Sequence, residues 1–509
     1  MLLKSHVAFT TLLCYHHHRK IARVLKQMKK KLVTALLIAS FINTNISTAY
    51  AFGGKNSNAE QNKPQKIKVE KVKIKKQKKV KWTKLQISNK FDFVNLNWWD
   101  SFQDDYLTEY IQKAVDHNHN AKIASLTVDE YIQNVKAQRA GELPTIGGGF
   151  IPGYGGSGSK TNGTMMFPIL VNYEVDLFLK NHDKTKSVKK ALEASIQEER
   201  ATYITIVSAV GTTYFNIVQL DKLIENQKHL IELNKEILNA VVISQEEGVA
   251  SVSDVIKAEK SLNSAQANLL DFEKTRLIAL NQLAVLIGES PANTATFERA
   301  KYEDIIYRYD IPNEVSSEII TNRPDYLKAE IMLQKAGIDI RVAKKEFLPS
   351  INIGGLALFN ALNPAGGLIP NFAWGVGGGI FQSLFTGGAK MANLKINKVR
   401  YEKMFKTYQH TNLVSIQEVN DAMYSYKYTN EKYEQNNKNL ALETKDFELS
   451  KLMYEEGIMS KLDLNKKEET YLKLENLVVQ NLTGCLIDSI GYYKATGAGI
   501  NKTLKLSFK

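Results

Sequence analysis

Glu246-Glu247-Gly248-Val249-Ala250-Ser251-Val252-Ser253-Asp254 returns later in the chain as Glu455-Glu456-Gly457-Ile458-Met459-Ser460-Lys461-Leu462-Asp463. The shared pattern is Glu-Glu-Gly-x-x-Ser-x-x-Asp. The same offset of 209 positions separates Gly248 from Gly457, Asp254 from Asp463 and Gly288 from Gly497. An offset held over about forty residues marks an internal duplication. In each copy a long helical pattern runs in, a glycine breaks it, and Ser-x-x-Asp restarts it as a capping box. Each copy is therefore expected to be the sharp tip of a helical hairpin.

Upstream of the first tip, Val207, Val210, Tyr214, Ile217, Ile224, Ile231, Leu238 and Val242 fall on one three-four seam. Proline is absent from Pro168 to Pro291, so one helix from Asp183 to Gln245 would be about 95 Å long. Beyond the tip, Val255, Ala258, Leu262, Ala265, Leu269 and Phe272 continue the seam to Gly288. A spacing near 3.5 predicts left-handed coiled-coil packing. The second half replays this pattern. Pro324 suits the first turn of a helix to Phe347, and a proline-free stretch runs from Ala389 through the Gly457 tip to Gly497. A first helical stretch, opened by Trp98-Trp99-Asp100 and carrying Leu107, Ile111, Ala114, Ala121 and Ala124, ends at Leu143-Pro144.

Between the helices the period changes to two. Ile169, Val171, Tyr173, Val175 and Leu177 alternate with Asn172, Glu174 and Asp176. Phe372, Trp374, Val376 and Ile380 alternate with Ala373, Gly375, Gly377 and Gly379, and Ile351, Ile353, Ala357 and Phe359 form a further alternating run. Two strands per half, each about ten residues long, match bilayer thickness. The lipid-facing side is Ile169, Val171, Tyr173, Val175, Phe372, Trp374 and Val376; the other side is polar or tiny, as a water-filled lumen requires. Four strands cannot close a barrel, and an open edge cannot survive in lipid. Three copies sharing twelve strands would close one. The plainer reading is a coiled-coil rod carrying two small hairpins, with no channel.

Charge separates the chain into parts. Met28-Lys29-Lys30-Lys31, the apolar run Leu32 to Ile42 and Ala49-Tyr50-Ala51 read as a secretory signal peptide cleaved after Ala51. Met28 is then the start, and residues 1–27 precede it. Residues 52–90 hold thirteen Lys against two Glu, a disordered tail or a contact for an anionic surface. Residues 91–509 hold 46 basic against 51 acidic residues, so the basic balance belongs to the tail. Nucleic acid is not an expected partner of an exported chain. After cleavage Cys485 is the sole cysteine, which excludes a disulfide framework, and no later segment reads as a transmembrane helix.

The chain resembles the TolC-type outer-membrane efflux proteins, in particular their NodT/OprM-like branch. The resemblance rests on Trp98-Trp99-Asp100-Ser101-Phe102, Tyr173-Glu174-Val175-Asp176-Leu177-Phe178, Asn322-Arg323-Pro324-Asp325, Phe385-Thr386-Gly387-Gly388, Glu418-Val419-Asn420-Asp421-Ala422 and both tips, over residues 96–499. It implies a homotrimer with a twelve-stranded barrel on a periplasmic α-barrel, docked through a periplasmic adaptor to an inner-membrane pump. It implies adaptor docking at Gly248, Val249, Ala250, Ser251, Gly457, Ile458 and Ser460. It also implies an aperture formed by Tyr454, Met459, Asp463 and Lys466. Two departures matter. Phe52 follows the cleavage site where the branch carries a lipidated cysteine, so no lipid anchor is expected. Lys466 stands where the family often has a second Asp, and Met459 where it has an Arg gate. For Asp463 plain helix capping is the competing role, and Arg323 and Asp325 read as structural.

No catalytic, cofactor or metal site is evident. His117 and His119 are two apart, Gly147-Gly148-Gly149 and Gly377-Gly378-Gly379 complete no nucleotide motif, and His16-His17-His18 lies in the cleaved part. The expected architecture is α+β and mostly helical. Its parts are a first repeat at 91–300, a linker at 301–315, a second repeat at 316–499 and a tail at 500–509. The expected function is a passive outer-membrane efflux duct. The alternatives are the exit duct of a type I protein-secretion system and a periplasmic scaffold.

Overall fold

The computed structural model describes residues 96–157, 160–305, 318–363 and 369–497. All belong to one compact unit, Leu85–Lys509. The expected signal peptide, basic tail and C-terminal tail, and most of the expected 301–315 linker, lie outside the described residues.

Apart from one turn at Glu318–Thr321, the described α-helices are α1 (Asp105–His117), α2 (His119–Ala140), α3 (Lys180–Glu246), α4 (Val252–Leu286), α5 (Pro324–Lys345), α6 (Ala389–Glu455) and α7 (Lys461–Ala495). The strands are β1 (Thr145–Gly148), β2 (Ile151–Ser157), β3 (Lys160–Val175), β4 (Ser350–Asn363) and β5 (Ile369–Phe381). The duplication is visible in the lengths. Helices α3 and α6 have 67 residues each, α4 and α7 have 35 each, and α2 and α5 have 22 each.

Helix α3 is the spine. It spans about 100 Å, and its expected seam is the core: Val207, Val210, Tyr214 and Ile217 are at most 1 % exposed. Helices α2, α4, α5 and α7 all pack along it. One window of α3 has the length and composition of a membrane span, but 67 % of it is buried within the chain. Trp98 and Trp99 sit in a 3-10 turn, Leu96–Phe102, rather than an α-helix. They join Tyr214, Phe215, Leu283 and Ile490 in one hydrophobic cluster. Gly211 makes this packing possible: a Cβ there would stand 2.9 Å from Ile490 Cδ1 and 3.1 Å from Trp98 Cη2. A second cluster of Leu230, Leu233, Ile237, Ala258 and Leu472 runs toward the tips and ties α7 of the second half to α3 of the first.

The first helical stretch is two helices, not one. Asn118 leaves the helical region at ψ 127°, which places His117 and His119 on different helices. Its side-chain oxygen accepts from the Asn120 and Ala121 amides, capping α2. Its amide donates to Leu286 O at 2.8 Å, the last carbonyl of α4. So α4 and α2 stack end to end along α3. The second half uses the same joint with a different residue: Arg323, preceding α5, donates to Ala495 O at 2.5 Å, the last carbonyl of α7. Arg323 also makes a two-pronged bond to Asp325 at 3.0 and 2.7 Å and contacts Glu418 of α6. The segment leading into the expected linker is strapped to the core: Phe297 is buried, Tyr110 donates to Glu298 O and Arg299 pairs with Asp221.

The sheet is antiparallel, with β3 pairing β4 and β4 pairing β5. Strands β1 and β2 lie end to end along β3, so the first strand is broken near Gly149. Strands β3, β4 and β5 run 16, 14 and 13 residues, longer than the ten expected.

Gly248 and Gly288 share a φ of +75°, but their surroundings differ. A Cβ on Gly288 would stand 2.5 Å from His117 O, whereas Gly248 has nothing within 4 Å. Gly248→Ala should cost about 1 kcal/mol of left-handed strain, and Gly288→Ala about 3 kcal/mol as the α4–α2 joint is forced apart. Thermal unfolding in detergent should rank Gly288→Ala well below Gly248→Ala. Equal shifts would mean that the joint does not close this way.

Candidate functional site: a two-faced sheet and paired tips

Strand register decides which side chains share a face. Ile169, Val171, Tyr173 and Val175 stand opposite Ala357, Gly355, Ile353 and Ile351. Those positions in turn stand opposite Trp374, Val376, Gly378 and Ile380. All seven expected lipid-facing residues therefore lie on one face, and Trp374 and Val376 are each 72 % exposed. The register adds an aromatic row that single-strand reading missed: Phe167 is paired with Phe359, and Phe359 with Phe372. The Phe150 and Phe167 rings lie 5.0 Å apart, tilted by 36°, and those of Phe372 and Phe359 lie 4.6 Å apart. Aromatic bands of this kind mark the boundary of an apolar layer.

The opposite face carries Asn172, Glu174, Asn352, Asn360 and Asn371 with Gly354, Gly375 and Gly377. It is not uniformly polar or tiny, as expected. Leu170 pairs with Leu356, and Leu358 with Pro168, on that same face, and Leu170 is 55 % exposed. Period-two reading of β4 followed its small residues and passed over these leucines. Asp176 is also not a strand residue. Strand β3 ends at Val175, and the Asp176 carboxylate accepts from the amides of Lys180 and His182 at 2.6 and 2.8 Å, capping α3. Glu174 pairs with Lys180 at 2.6 Å. In the first turn of α3, buried Asp183 binds Lys345 of α5 at 2.7 Å. Burial would raise its carboxyl, but the bonded Lys345 ammonium holds it below the ordinary value.

The backbone hydrogen bonds of the two turns match residue for residue. Gly248 and Gly457 are left-handed, at φ +75° and +72°. Val249 N donates to Ser244 O at 2.8 Å, and Ile458 N donates to Met453 O at 2.8 Å. Val249 is 84 % and Ile458 71 % exposed, so each tip ends in one bare aliphatic side chain at the same place. Ala250 instead turns inward, against the second cluster. Ser251 and Asp254 form the full capping box. Ser460 caps α7 through the Asp463 amide at 3.1 Å, but the return contact is side chain to side chain at 2.7 Å, so the second box is partial. The structure brings the expected aperture residues into one tip: Tyr454 in the last turn of α6, half-buried Met459 in the loop, and Asp463 and Lys466 on α7. Lys466 Nζ lies 3.8 Å from Asp463. The first tip has the same pair, Lys257 and Asp254, at 3.1 Å.

Away from the sheet and tips, a cleft of about 800 Å³ lies between α3 and the segment around Arg299. Several of its charges pair within the chain. Asp221 accepts from Arg299 at 2.9 Å and Arg276 at 3.2 Å, and Lys222 pairs with Glu303 at 2.8 Å.

Long paired helices ending in capped tips, with a sheet of one apolar face at the other end, define a membrane-channel chain. The chain belongs to the outer membrane efflux protein family, whose model matches residues 110–289 and 315–498, one match per half. It is 26 % identical over 418 residues to the toluene efflux pump outer membrane protein TtgC of Pseudomonas putida, covering 79 % of this chain and 85 % of that one. Among solved structures it matches the CmeC outer membrane channel of Campylobacter jejuni with TM-score 0.72 and 21 % identity, over 84 % of this chain and 92 % of that one. It matches the open state of the MtrE outer membrane channel of Neisseria gonorrhoeae with TM-score 0.70 and 25 % identity, over 80 % and 92 %. The protein is an outer-membrane efflux channel that extends into the periplasm.

The Asp254 carboxyl is held down to about 2, first by the Ser251 hydroxyl, then by Lys257 and the Ser251 amide. A depressed carboxyl adds stability above its unfolded pKa, about 3.9, and that stability is lost as pH falls through the folded value. Hydrogen exchange at residues 252–256, corrected for intrinsic rate, should stay protected from neutral pH to below about 3.9 and open only as pH approaches about 2. Ser251→Ala should remove this protection across the whole range.

Proposed function

We propose that three copies of the chain close a single twelve-stranded barrel. In this reading α3, α4, α6 and α7 of each copy line one periplasmic duct, and the assembly is the exit channel of a tripartite efflux pump. The observation that carries the reading is the combination of one apolar face with two open edges. Strand β5 bounds the sheet on one side, and β1 with β2 on the other. Unpaired edge amides cannot be hydrated in hydrocarbon, so another strand must cover them. Twelve strands exceed the eight of the smallest barrels and leave an open lumen. The channel supplies no energy; an inner-membrane pump would, through a periplasmic adaptor.

The adaptor docks at the tips, on Gly248, Val249, Ala250, Ser251, Gly457, Ile458 and Ser460. Bare Val249 and Ile458 offer an apolar contact at equivalent places, and the left-handed glycines hold it at the turn. The resting aperture is formed by Tyr454, Met459, Asp463 and Lys466. With Lys466 beside Asp463 its charge is mixed, and a mixed ring attracts cations less than a doubly acidic one.

Photo-crosslinking in cells from Val249 and Ile458 should capture a periplasmic adaptor, and native mass should correspond to three chains. A monomeric mass in mild detergent would sink the shared barrel. No capture at either tip, in cells that express the pump, would remove adaptor docking from the reading. In planar bilayers Lys466→Asp should raise cation selectivity, and unchanged selectivity would take Lys466 out of the aperture.

A further inference from the structure

Four helices meet the sheet: α2 enters β1, α3 leaves β3, α5 enters β4 and α6 leaves β5. The eleven sheet-proximal residues of each are 130–140, 180–190, 335–345 and 389–399. Together they hold fourteen Lys or Arg against three acids, within a region, residues 91–509, that carries 46 against 51. Eleven helical residues span about 15 Å, so the excess is a collar confined to the end of the helices that faces the membrane.

Five of these cations are spent on internal partners: Lys180, Lys190, Lys335, Arg341 and Lys345. Others are not. Lys136, Arg139, Lys189, Lys344, Lys395 and Lys398 are exposed, and none has a salt bridge among the described residues. Like charges gathered this closely repel one another, and nothing in the fold of the chain requires it.

A second observation lies between the collar and the strands. At every helix–sheet junction the chain exposes large apolar side chains. Leu143 is 63 %, Leu177 62 %, Leu179 54 %, Leu348 43 %, Leu384 94 % and Phe385 89 % exposed. Along the long axis the order is therefore apolar sheet face, apolar rim, then unpaired cations. A phospholipid leaflet presents the same order as acyl chains, the acyl–headgroup boundary and anionic headgroups. Lys and Arg stems can lie along apolar surface while their charges reach the phosphates.

We propose that this collar binds anionic phospholipid headgroups of the periplasmic leaflet of the outer membrane. It would set the depth at which the sheet sits without any covalent lipid. The proposal rests on the reading of the sheet as membrane-spanning. Juxtamembrane Lys and Arg attract anionic lipid within about one Debye length of the surface, which the collar satisfies and the tips do not.

The test uses the full chain in vesicles of phosphatidylethanolamine alone, or mixed with phosphatidylglycerol. Retained lipid is counted by native mass spectrometry. The collar variant is Lys189→Gln with Lys344→Gln, Lys395→Gln and Lys398→Gln. The control removes as many exposed cations nearer the tips, by Lys228→Gln, Lys432→Gln, Lys438→Gln and Lys445→Gln. The wild type and the control should retain phosphatidylglycerol in preference to phosphatidylethanolamine, with a preference that weakens as salt rises. The collar variant should lose at least about tenfold of it. Equal retention of both lipids overturns the proposal. So does an equal loss in both variants, or binding of the collar to acidic peptidoglycan sacculi and not to phosphatidylglycerol. Proteins that insert normally into both vesicle types while showing any of these results would leave the barrel intact and remove only the collar. Failure to enter either bilayer would overturn the membrane reading of the sheet and the collar with it.

Discussion

Everything in this chain depends on two helix ends meeting without leaving a carbonyl bare. A helix of 67 residues needs its whole apolar seam covered, and no single shorter helix can cover it. The chain covers it with two helices laid end to end, and the joint between them must satisfy the last carbonyls of one and the first amides of the other. Asn118 does both with one amide side chain. Arg323 does the carbonyl half with a guanidinium, and a charge so deeply buried must in turn be matched. Asp325 and Glu418 match it, which binds α6 into the same joint. The first joint brings α1 and α2 onto the end of α4, and the second brings α5 and α6 onto the end of α7.

Duplication preserved lengths and ends better than it preserved faces. Helix α3 is buried along most of its length, whereas α6 has only Asn397, Ser415, Val419, Tyr426, Phe447 and Ser450 buried. Leu413, Tyr424 and Tyr428 of α6 are more than half exposed. One copy of the long helix became the core of the chain and the other became its surface. Leu413, Tyr424 and Tyr428 have no cover among the described residues, and neighbouring copies would supply it under the trimeric arrangement proposed above.

Much of this architecture was legible in the sequence because it is written in short-range rules. A glycine followed by Ser-x-x-Asp needs no tertiary information to reverse a helix, so both tips and the 209-residue offset could be read directly. The seam of α3 was legible because a long helix repeats its signal many times. What escaped reading depended on partners distant in sequence. The break at Asn118 is invisible locally, since Ala114 and Ala121 keep the helical spacing across it; its cause is Leu286, 168 residues away. Asp176 continues the alternation of β3 in sequence, whereas the amides of α3 draw it out of the strand. The aromatic row and the Leu170–Leu356 pair exist only once strand register is fixed, and one strand does not encode the register of its neighbour. The role of Arg323 was read as structural, but its reach to Ala495 could not be.

The matched lengths of 67, 35 and 22 residues limit how such a protein can evolve. One residue inserted into α6 would turn everything beyond it by about 100° and shift it by 1.5 Å, breaking the seam and moving one tip away from its twin. Only whole seven-residue units, about 10 Å each, keep the stripe in place. They must enter the long helix and its stacked partners together, in both halves. A duct of this build can therefore grow or shrink to fit a periplasm of different depth only in heptad steps taken by several helices at once.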